Sequence, residues 1–245
     1  MSSRSGGAGI LAVVIAALAG GVACTEIPDA TVVSAPPSAT AQLSTPPEPG
    51  APVSGGFDAA RTRLETLVVK GRAPKTGYSR DEFGQSWTDD VNVESGHNGC
   101  DTRNDILRRD LTASTYKPGT RDCVVLTGVL NDPYSGKKID FVRGEKTSPA
   151  VQIDHVVAMS DAWQKGAAQW DVLKRTDFAN DPINLQATDG PTNQQKGNGD
   201  AATWLPPNKA YRCTYVARQI EVKARYEIWV TESEKRAMAD LLATC

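Results

Sequence analysis

The sequence predicts an α+β fold in which a small antiparallel sheet lies inside a mainly helical domain. Two short runs rich in β-branched residues, "DCVVLTGVL" and "KIDFVRG", are typical of strands, and the turn-forming sequence "NDPYSGK" separates them. A third strand-like run, "VQIDHVVAM", follows. Segments with helical spacing of apolar residues lie before and after these runs. The order of elements is therefore mixed, with helices on both sides of the strands.

The helices are predicted from periodicity and from their end signals. The first is amphipathic, because "FDAARTRLETLVVK" places Phe57, Leu64 and Val68 on one face. The segment "NDPINLQATD" is predicted to be a short extended piece. Helices are predicted in five further places: near residues 102–111, from Ser160 through Trp163 and Trp170, within "GPTNQQKGNGD", over Lys209–Trp229, and from Thr231. At the last of these, Glu234 completes a capping box with Thr231.

The chain divides into three segments by composition. Residues 1–24 begin with a positive charge at Arg4 and continue through the uncharged run "ILAVVIAALAGGVA", as an export signal does. Residues 25–56 are rich in Pro, Ser, Thr and Ala and poor in large apolar groups, which predicts a disordered tether. The folded domain is expected to span residues 57–245.

Cys24 ends the predicted signal in the sequence "GVAC", which resembles the bacterial lipobox. In that motif the cysteine carries the lipid after cleavage. The alternative is ordinary cleavage, for example after the "ALA" at residues 17–19. The protein is thus expected either on the outer face of the cell membrane as a lipoprotein or fully secreted.

The four remaining cysteines form an even set in an exported chain, where disulfides persist. Four cysteines allow three pairings. The pairing Cys100–Cys123 with Cys213–Cys245 is favoured, because each bond closes a local loop and the second would hold the C-terminal helix. No CxxC spacing occurs, so a cysteine zinc site is not expected.

The charge balance gives no overall attraction to a polyanion. The chain has 27 lysines and arginines against 29 aspartates and glutamates, and the predicted domain is equally balanced. Any nucleic acid would therefore be held by a local patch of basic residues.

Asp154 and His155 stand side by side in the strand "VQIDHVVAM", and His97 is the only other histidine. An acid and an imidazole in an apolar strand are costly unless they are partnered. Downstream lie Asn184 in a predicted loop and Asn193 in a predicted short helix. Each residue alone is as well explained by a structural hydrogen bond or a turn. Their order together indicates a catalytic site.

The residue types in this order suit hydrolysis assisted by a metal ion. Asp154 and the amide oxygen of Asn193 could bind a Mg²⁺ ion, which prefers oxygen ligands and keeps several waters. His155 would act as general base, since its pKa lies near neutrality. Asn184 would orient the loop and the imidazole by a hydrogen bond. Lys196 and Arg103 are the candidates for contact with phosphate.

The segments "VQIDHVVAMSDAWQKGAAQW", "RTDFANDPINLQATDGPTNQQKGNGDAATWLPPN" and "YRCTYVARQIEVKARYEIWVTESE" resemble secreted bacterial HNH endonuclease-family proteins. The catalytic domain of that group is similar to the C-terminal domain of GmrSD-type restriction endonucleases. The resemblance implies a ββα-metal (HNH) nuclease core over roughly residues 60–245. It makes Asp154 and Asn193 metal ligands, His155 the base and Asn184 the middle motif residue.

The expected function is an exported, metal-dependent endonuclease that hydrolyses phosphodiester bonds of DNA, with RNA as an alternative substrate. Mg²⁺ is the expected cofactor and Mn²⁺ the alternative, and no obligate protein partner is evident. A rival hypothesis is a cell-surface lipoprotein that uses the same fold for binding without catalysis. A third is an exported hydrolase that acts on another phosphoester with the same residues.

Overall fold

The computed structural model describes residues 56–245 and shows an α+β fold. The predicted signal, the predicted tether and Cys24 lie outside the described residues. None of the helices within residues 56–245 is long and apolar enough to cross a membrane. The helices are α1 (Asp58–Thr66), α2 (Thr102–Asp110), α3 (Met159–Trp163), α4 (Val172–Asn180), α5 (Gly190–Lys196), α6 (Arg212–Tyr226) and α7 (Glu232–Leu242). The strands are β1 (Leu111–Tyr116), β2 (Val125–Asn131), β3 (Lys138–Val142), β4 (Val151–His155) and β5 (Leu185–Asp189).

The first sheet is antiparallel and has the strand order β1-β2-β3. The hairpin of β2 and β3 confirms the two strands predicted around "NDPYSGK", with Thr127 opposite Val142 and Asn131 opposite Lys138. Strand β1 was not predicted. Its sequence "LTASTY" has too few apolar residues for a clear alternation, and pairing with β2 places it in the sheet.

The second sheet contains only β4 and β5, which are antiparallel and pair from Val151 opposite Asp189 to His155 opposite Leu185. Helix α5 begins directly after β5, because the Asp189 side chain caps it by accepting a hydrogen bond from Thr192 N. The unit is therefore strand, strand, helix, with α3 and α4 inserted between the two strands. This is the ββα order that the resemblance predicts.

Three apolar clusters hold the helices against the sheets. One joins α1, α6 and α7 through residues such as Leu64, Ile220 and Leu242. A second is aromatic and contains Phe83 and Phe178. The third lies between α2 and the two sheets. Burial of one such large apolar side chain contributes about 1.5–3 kcal/mol, so these clusters fix the positions of β4 and β5.

The predicted helical stretches are confirmed with two changes. The helix predicted from Ser160 is only the five-residue α3, and a separate helix, α4, carries the chain back toward β5. Trp170 ends a short 3-10 turn between them. The predicted capping box at Thr231 and Glu234 is present at the start of α7.

A buried ionic cluster joins the helices away from the sheets. The ammonium group of Lys165 lies 2.7 Å from Asp161, 2.9 Å from Asp200 and 2.6 Å from Glu234. Lys223 on α6 lies 3.0 Å from both Asp161 and Glu234. Burial opposes ionisation of Asp161, but the ammonium groups of Lys223 and Lys165 outweigh it and lower the pKa of Asp161 to about 2. The charges are therefore compensated in the interior.

Both favoured disulfides are present. Cys100–Cys123 ties the loop before α2 to the loop between β1 and β2. Cys213–Cys245 ties the first turn of α6 to the C-terminal residue.

Candidate active site

His155 ends β4 and is buried, with 8% of its surface exposed. Its Nε2 lies 2.9 Å from the backbone oxygen of Ala179. A carbonyl oxygen can only accept, so Nε2 carries the proton and donates it, which leaves Nδ1 unprotonated. The Trp87 ring stacks beside the imidazole, with ring centres 6.0 Å apart and planes 19° apart. The geometry thus fixes both the tautomer and the orientation of His155.

The surroundings also keep the imidazole neutral. Burial lowers the pKa of His155 to about 4, and the positive charges of Arg80 and Lys196 act in the same direction. The hydrogen bond to Ala179 opposes the shift but does not outweigh it. At neutral pH the imidazole is therefore unprotonated and can accept a proton, but a pKa near 4 makes it a weaker base than the near-neutral pKa expected from the sequence.

Asn184 lies fully buried just before β5. Its Oδ1 accepts a hydrogen bond from Val157 N at 2.8 Å, and its backbone oxygen accepts one from Val156 N at 2.7 Å. Its Nδ2 lies 3.4 Å from the backbone oxygens of Val157 and Phe178. Asn184 therefore holds the chain on both sides of the His155–Ala179 hydrogen bond, and its side chain bonds only backbone groups of the described residues.

Asp154 points away from His155, as alternation along a strand requires. Its Oδ1 accepts a hydrogen bond from Lys196 Nζ at 2.9 Å and its Oδ2 accepts one from Tyr134 OH at 2.7 Å. All three side chains are buried. Lys196, predicted to contact phosphate, is instead enclosed, and its ammonium group also bonds the backbone oxygen of His155 at 2.7 Å.

Asn193 lies one helical turn before Lys196 on α5 and is half-buried. Its Nδ2 donates to Gln152 Oε1 at 2.9 Å, so the predicted ligand faces Gln152 while Lys196 faces Asp154. The structure thus places a protein cation, and not Asn193, against the Asp154 carboxylate.

This arrangement does not fit a divalent ion as the sequence predicts. Both oxygens of Asp154 accept hydrogen bonds, and the ammonium group of Lys196 would repel a second cation at Oδ1. Within residues 56–245 no cluster of three or more His, Cys, Asp or Glu side chains is arranged to hold a metal. An ion shared by Asp154 and Asn193 would require Lys196 to leave the carboxylate.

Two openings that share Arg80 and Trp87 lie at the site. A cavity of about 20 Å³ borders His155, Trp87 and Arg80, and its volume is enough for one water molecule. A wider groove of about 390 Å³ is bordered by Arg80 and Trp87 together with Arg103, Gln152 and Asn193. His155 therefore lines a cavity that shares Arg80 and Trp87 with a groove bordered by two arginines.

Arg103 is short of hydrogen-bond partners. One guanidinium nitrogen, Nη2, donates to the backbone oxygen of Val151 at 3.2 Å, while Nη1 is buried and has no partner among the described residues. Burial, and then the nearby charge of Arg143, lower the pKa of Arg103. The phosphate contact of Arg103 stays a prediction, and an anion that reached the guanidinium would supply the missing partner.

Several site residues were not predicted from sequence. Tyr134 and Ala179 contact the Asp154–His155 pair from distant parts of the chain, and nothing in the sequence marks either residue. Arg80 and Trp87 come from the loop-rich segment before α2, which has no periodic pattern. Gln152 could have been found, because it lies two residues before Asp154 on the same strand face.

The comparisons with known proteins concern the same region. The family model described as "GmrSD restriction endonucleases, C-terminal domain" matches residues 101–241. A protein of Arthroderma benhamiae, named an uncharacterized secreted protein, is 38% identical over 211 residues, which cover 85% of this chain and 96% of that protein. No solved structure matches significantly. Because Arthroderma benhamiae is a fungus, the predicted restriction to bacterial proteins is not supported.

Proposed function

Since the chain belongs to the family of the GmrSD restriction endonuclease C-terminal domain, we propose that it is an exported endonuclease that hydrolyses phosphodiester bonds of DNA. The observation that carries this proposal is the hydrogen bond from His155 Nε2 to the Ala179 oxygen, which leaves Nδ1 as a free base. A neutral imidazole beside a water-sized cavity and a groove with two arginines suits attack of water on a phosphate.

In the proposed reaction, a water oxygen forms a bond to phosphorus while one of its protons moves to His155 Nδ1. The bond between phosphorus and the 3′ oxygen breaks, and the leaving oxygen takes a proton from solvent. The products are a 5′-phosphate and a 3′-hydroxyl. Asn184 keeps the backbone beside His155 in place, and Trp87 limits rotation of the imidazole.

Arg103 is proposed to hold a phosphate of the substrate, because its side chain borders the groove and its one hydrogen bond within the described residues goes to the Val151 oxygen. Lys196 is not proposed for this role, since its ammonium group is engaged by Asp154 and by the His155 oxygen. Phosphate contacts carry no sequence information, so the proposed activity has no base preference from these residues. RNA is the alternative polymer.

Binding of a divalent ion is proposed separately from the hydrolysis step. Mg²⁺, or Mn²⁺ as the alternative, would be bound by Asp154 and Asn193 only after Lys196 releases the carboxylate. The proposed reaction does not use that ion, because Asp154 is paired with Lys196.

Export is proposed from the signal-like residues 1–24 and from the secreted relative in Arthroderma benhamiae. Lipid attachment at Cys24 is the alternative to release. Replacement of Cys24 with Ser would move a lipoprotein from the membrane fraction to the medium. Unchanged partitioning of this variant would exclude the lipid anchor.

The rival function, binding without catalysis, is favoured by one observation: the ion pair with Lys196 satisfies the carboxylate that the resemblance assigns to a metal.

Incubation of supercoiled plasmid with the purified, disulfide-bonded protein and Mg²⁺ or Mn²⁺ separates the two functions. The nuclease nicks the plasmid, and His155→Asn abolishes nicking because an amide cannot serve as a base. His97→Asn is the matched control, since His97 is exposed and Asn tolerates its positive φ of 58°. A folded protein that leaves plasmid intact with either ion would favour binding.

A further inference from the structure

The segment before α2 forms one wall of the groove, although the family match begins only at residue 101. Within it, residues Arg80–Phe83 form a 3-10 turn that packs on α4. Phe83 is buried, with its ring centre 6.0 Å from that of Phe178, and Arg175 Nε donates to the Glu82 oxygen at 2.6 Å. The turn is therefore held firmly against the domain.

The Arg80 side chain lies where the two openings meet. It borders the small cavity at His155 and also the wide groove at Asn193, whereas Arg103 borders the groove alone. Arg80 is exposed, and its guanidinium forms no salt bridge or side-chain hydrogen bond with another residue of the described part of the chain. Its donors are available to an anion next to the base.

Arg80 and Lys196 are both positive groups near His155, but within the described residues only Lys196 is paired with a carboxylate. Lys196 lies beside His155, but its charge is compensated by Asp154 and it is fully enclosed. The guanidinium groups of Arg80 and Arg103 are the basic groups that border the groove itself. A planar guanidinium can bond two oxygens of one phosphate, which a single ammonium does less specifically.

We propose that Arg80 binds the phosphate that is attacked by the water whose proton His155 accepts, and that Arg103 binds a second phosphate along the groove. This inference rests on the proposed nuclease function and names its substrate class: a polynucleotide with at least two phosphates in the groove. The family-matched residues supply the base, and the segment before them supplies the group that holds the scissile phosphate.

Cleavage of two substrates tests the roles of the arginines. One is a labelled single-stranded oligonucleotide, and the other is bis(p-nitrophenyl) phosphate, which has one phosphate. Arg80→Gln is expected to lower kcat/KM at least tenfold on both substrates, with partial recovery in Arg80→Lys. Arg103→Gln is expected to raise KM at least fivefold for the oligonucleotide and to leave the small diester within twofold.

The matched control is Arg236→Gln, which removes one exposed arginine on α7. It is expected to stay within twofold of the wild type on both substrates. If Arg80→Gln also stays within twofold while the wild type is active, the role of Arg80 is refuted and the nuclease function stands. If the wild type cleaves neither substrate, the proposed function fails instead.

If the wild type cleaves neither substrate, binding of the oligonucleotide still tests the role of Arg80. Anisotropy of the labelled oligonucleotide at several salt concentrations gives Kd and its salt dependence without cleavage. Arg80→Gln is expected to weaken binding at least fivefold and to lower the slope of log K against log salt by about one contact. Equal affinities for Arg80→Gln and Arg236→Gln would overturn the inference.

Discussion

The ammonium group of Lys196 lies 2.9 Å from Asp154 Oδ1, and both residues are buried. The pair joins α5 to β4 directly beside His155, whose backbone oxygen is bonded by the same ammonium group at 2.7 Å. Lys196 therefore fixes the end of β4, which carries His155, by bonding both Asp154 and the His155 backbone oxygen. The arrangement explains how an acid can stand next to a histidine in an apolar strand without an unpaired charge.

Removal of one partner of this pair is expected to cost far more stability than removal of both. Lys196→Met leaves a buried carboxylate with only the Tyr134 hydroxyl, at a cost of about 3–5 kcal/mol. The double variant Asp154→Asn with Lys196→Met recovers a large part of that loss. Urea unfolding of the single and double variants measures the coupling.

Lys235→Met is the control, because its partner Glu65 is exposed and the pair is worth at most about 1 kcal/mol. Strict additivity of the two changes would refute the pairing.

A divalent ion that uses Asn193 as a ligand should be bound less tightly when the amide is removed. Asn193→Ala is expected to raise the Mg²⁺ concentration needed for half-maximal cleavage at least tenfold. If the ion takes part in the reaction, EDTA abolishes cleavage by the wild type. Titration of activity with Mg²⁺ for both proteins checks this. An unchanged Mg²⁺ requirement in Asn193→Ala would exclude Asn193 as a ligand, and activity in EDTA would exclude the ion itself.

The lowered pKa of His155 predicts a pH-dependent stability. Between about pH 4 and 6.5 the unfolded chain binds a proton that the folded site excludes, so the free energy of unfolding falls as pH drops through this window. The loss at this residue is at most about 3 kcal/mol, and above pH 6.5 the contribution no longer changes. Urea midpoints at pH 4.5 and 7.5 should therefore differ more for the wild type than for His155→Asn. Equal pH dependence in the two proteins would contradict the shift.

The two disulfides are expected to stabilise the protein similarly but to differ in their effect on the site. Each closes a loop of moderate length, 23 residues for Cys100–Cys123 and 32 for Cys213–Cys245, and each is worth about 3 kcal/mol. Replacement of both cysteines with Ser in the first bond is expected to loosen the segment before α2, which carries Trp87 beside His155. At a temperature where both double variants remain folded, that variant should lose cleavage activity and the second should keep it. Equal activities would show that the Trp87 loop needs no covalent anchor.

The sequence predicted what depends on local pattern. Turn residues defined the β2–β3 hairpin, and the capping residues at Thr231 and Glu234 defined the start of α7. The pairing of four cysteines followed from loop length. Strand β1 was missed because its place depends on pairing with β2, a contact that its own residues do not signal.

The candidate site was predicted in its chain order but not in its contacts. The sequence placed Asp154, His155 and Asn193 on the correct elements. It could not show that α5 turns Lys196 toward Asp154, because the rotation of a helix against a strand is set by packing of the whole core. Nor could it show that Arg80 reaches the groove, since that contact spans a loop without periodicity.

The protonation state of the two ring nitrogens of His155 shows most directly whether this residue can serve as the base. Nitrogen NMR of protein labelled in histidine gives the protonation of each ring nitrogen, and His97→Asn leaves His155 as the only signal. We predict that at pH 7 the ring is neutral with the proton on Nε2, that Nδ1 is unprotonated, and that the ring titrates near pH 4. A proton on Nδ1, or titration near the ordinary pH of 6.5, would contradict His155 as the base held ready in this site.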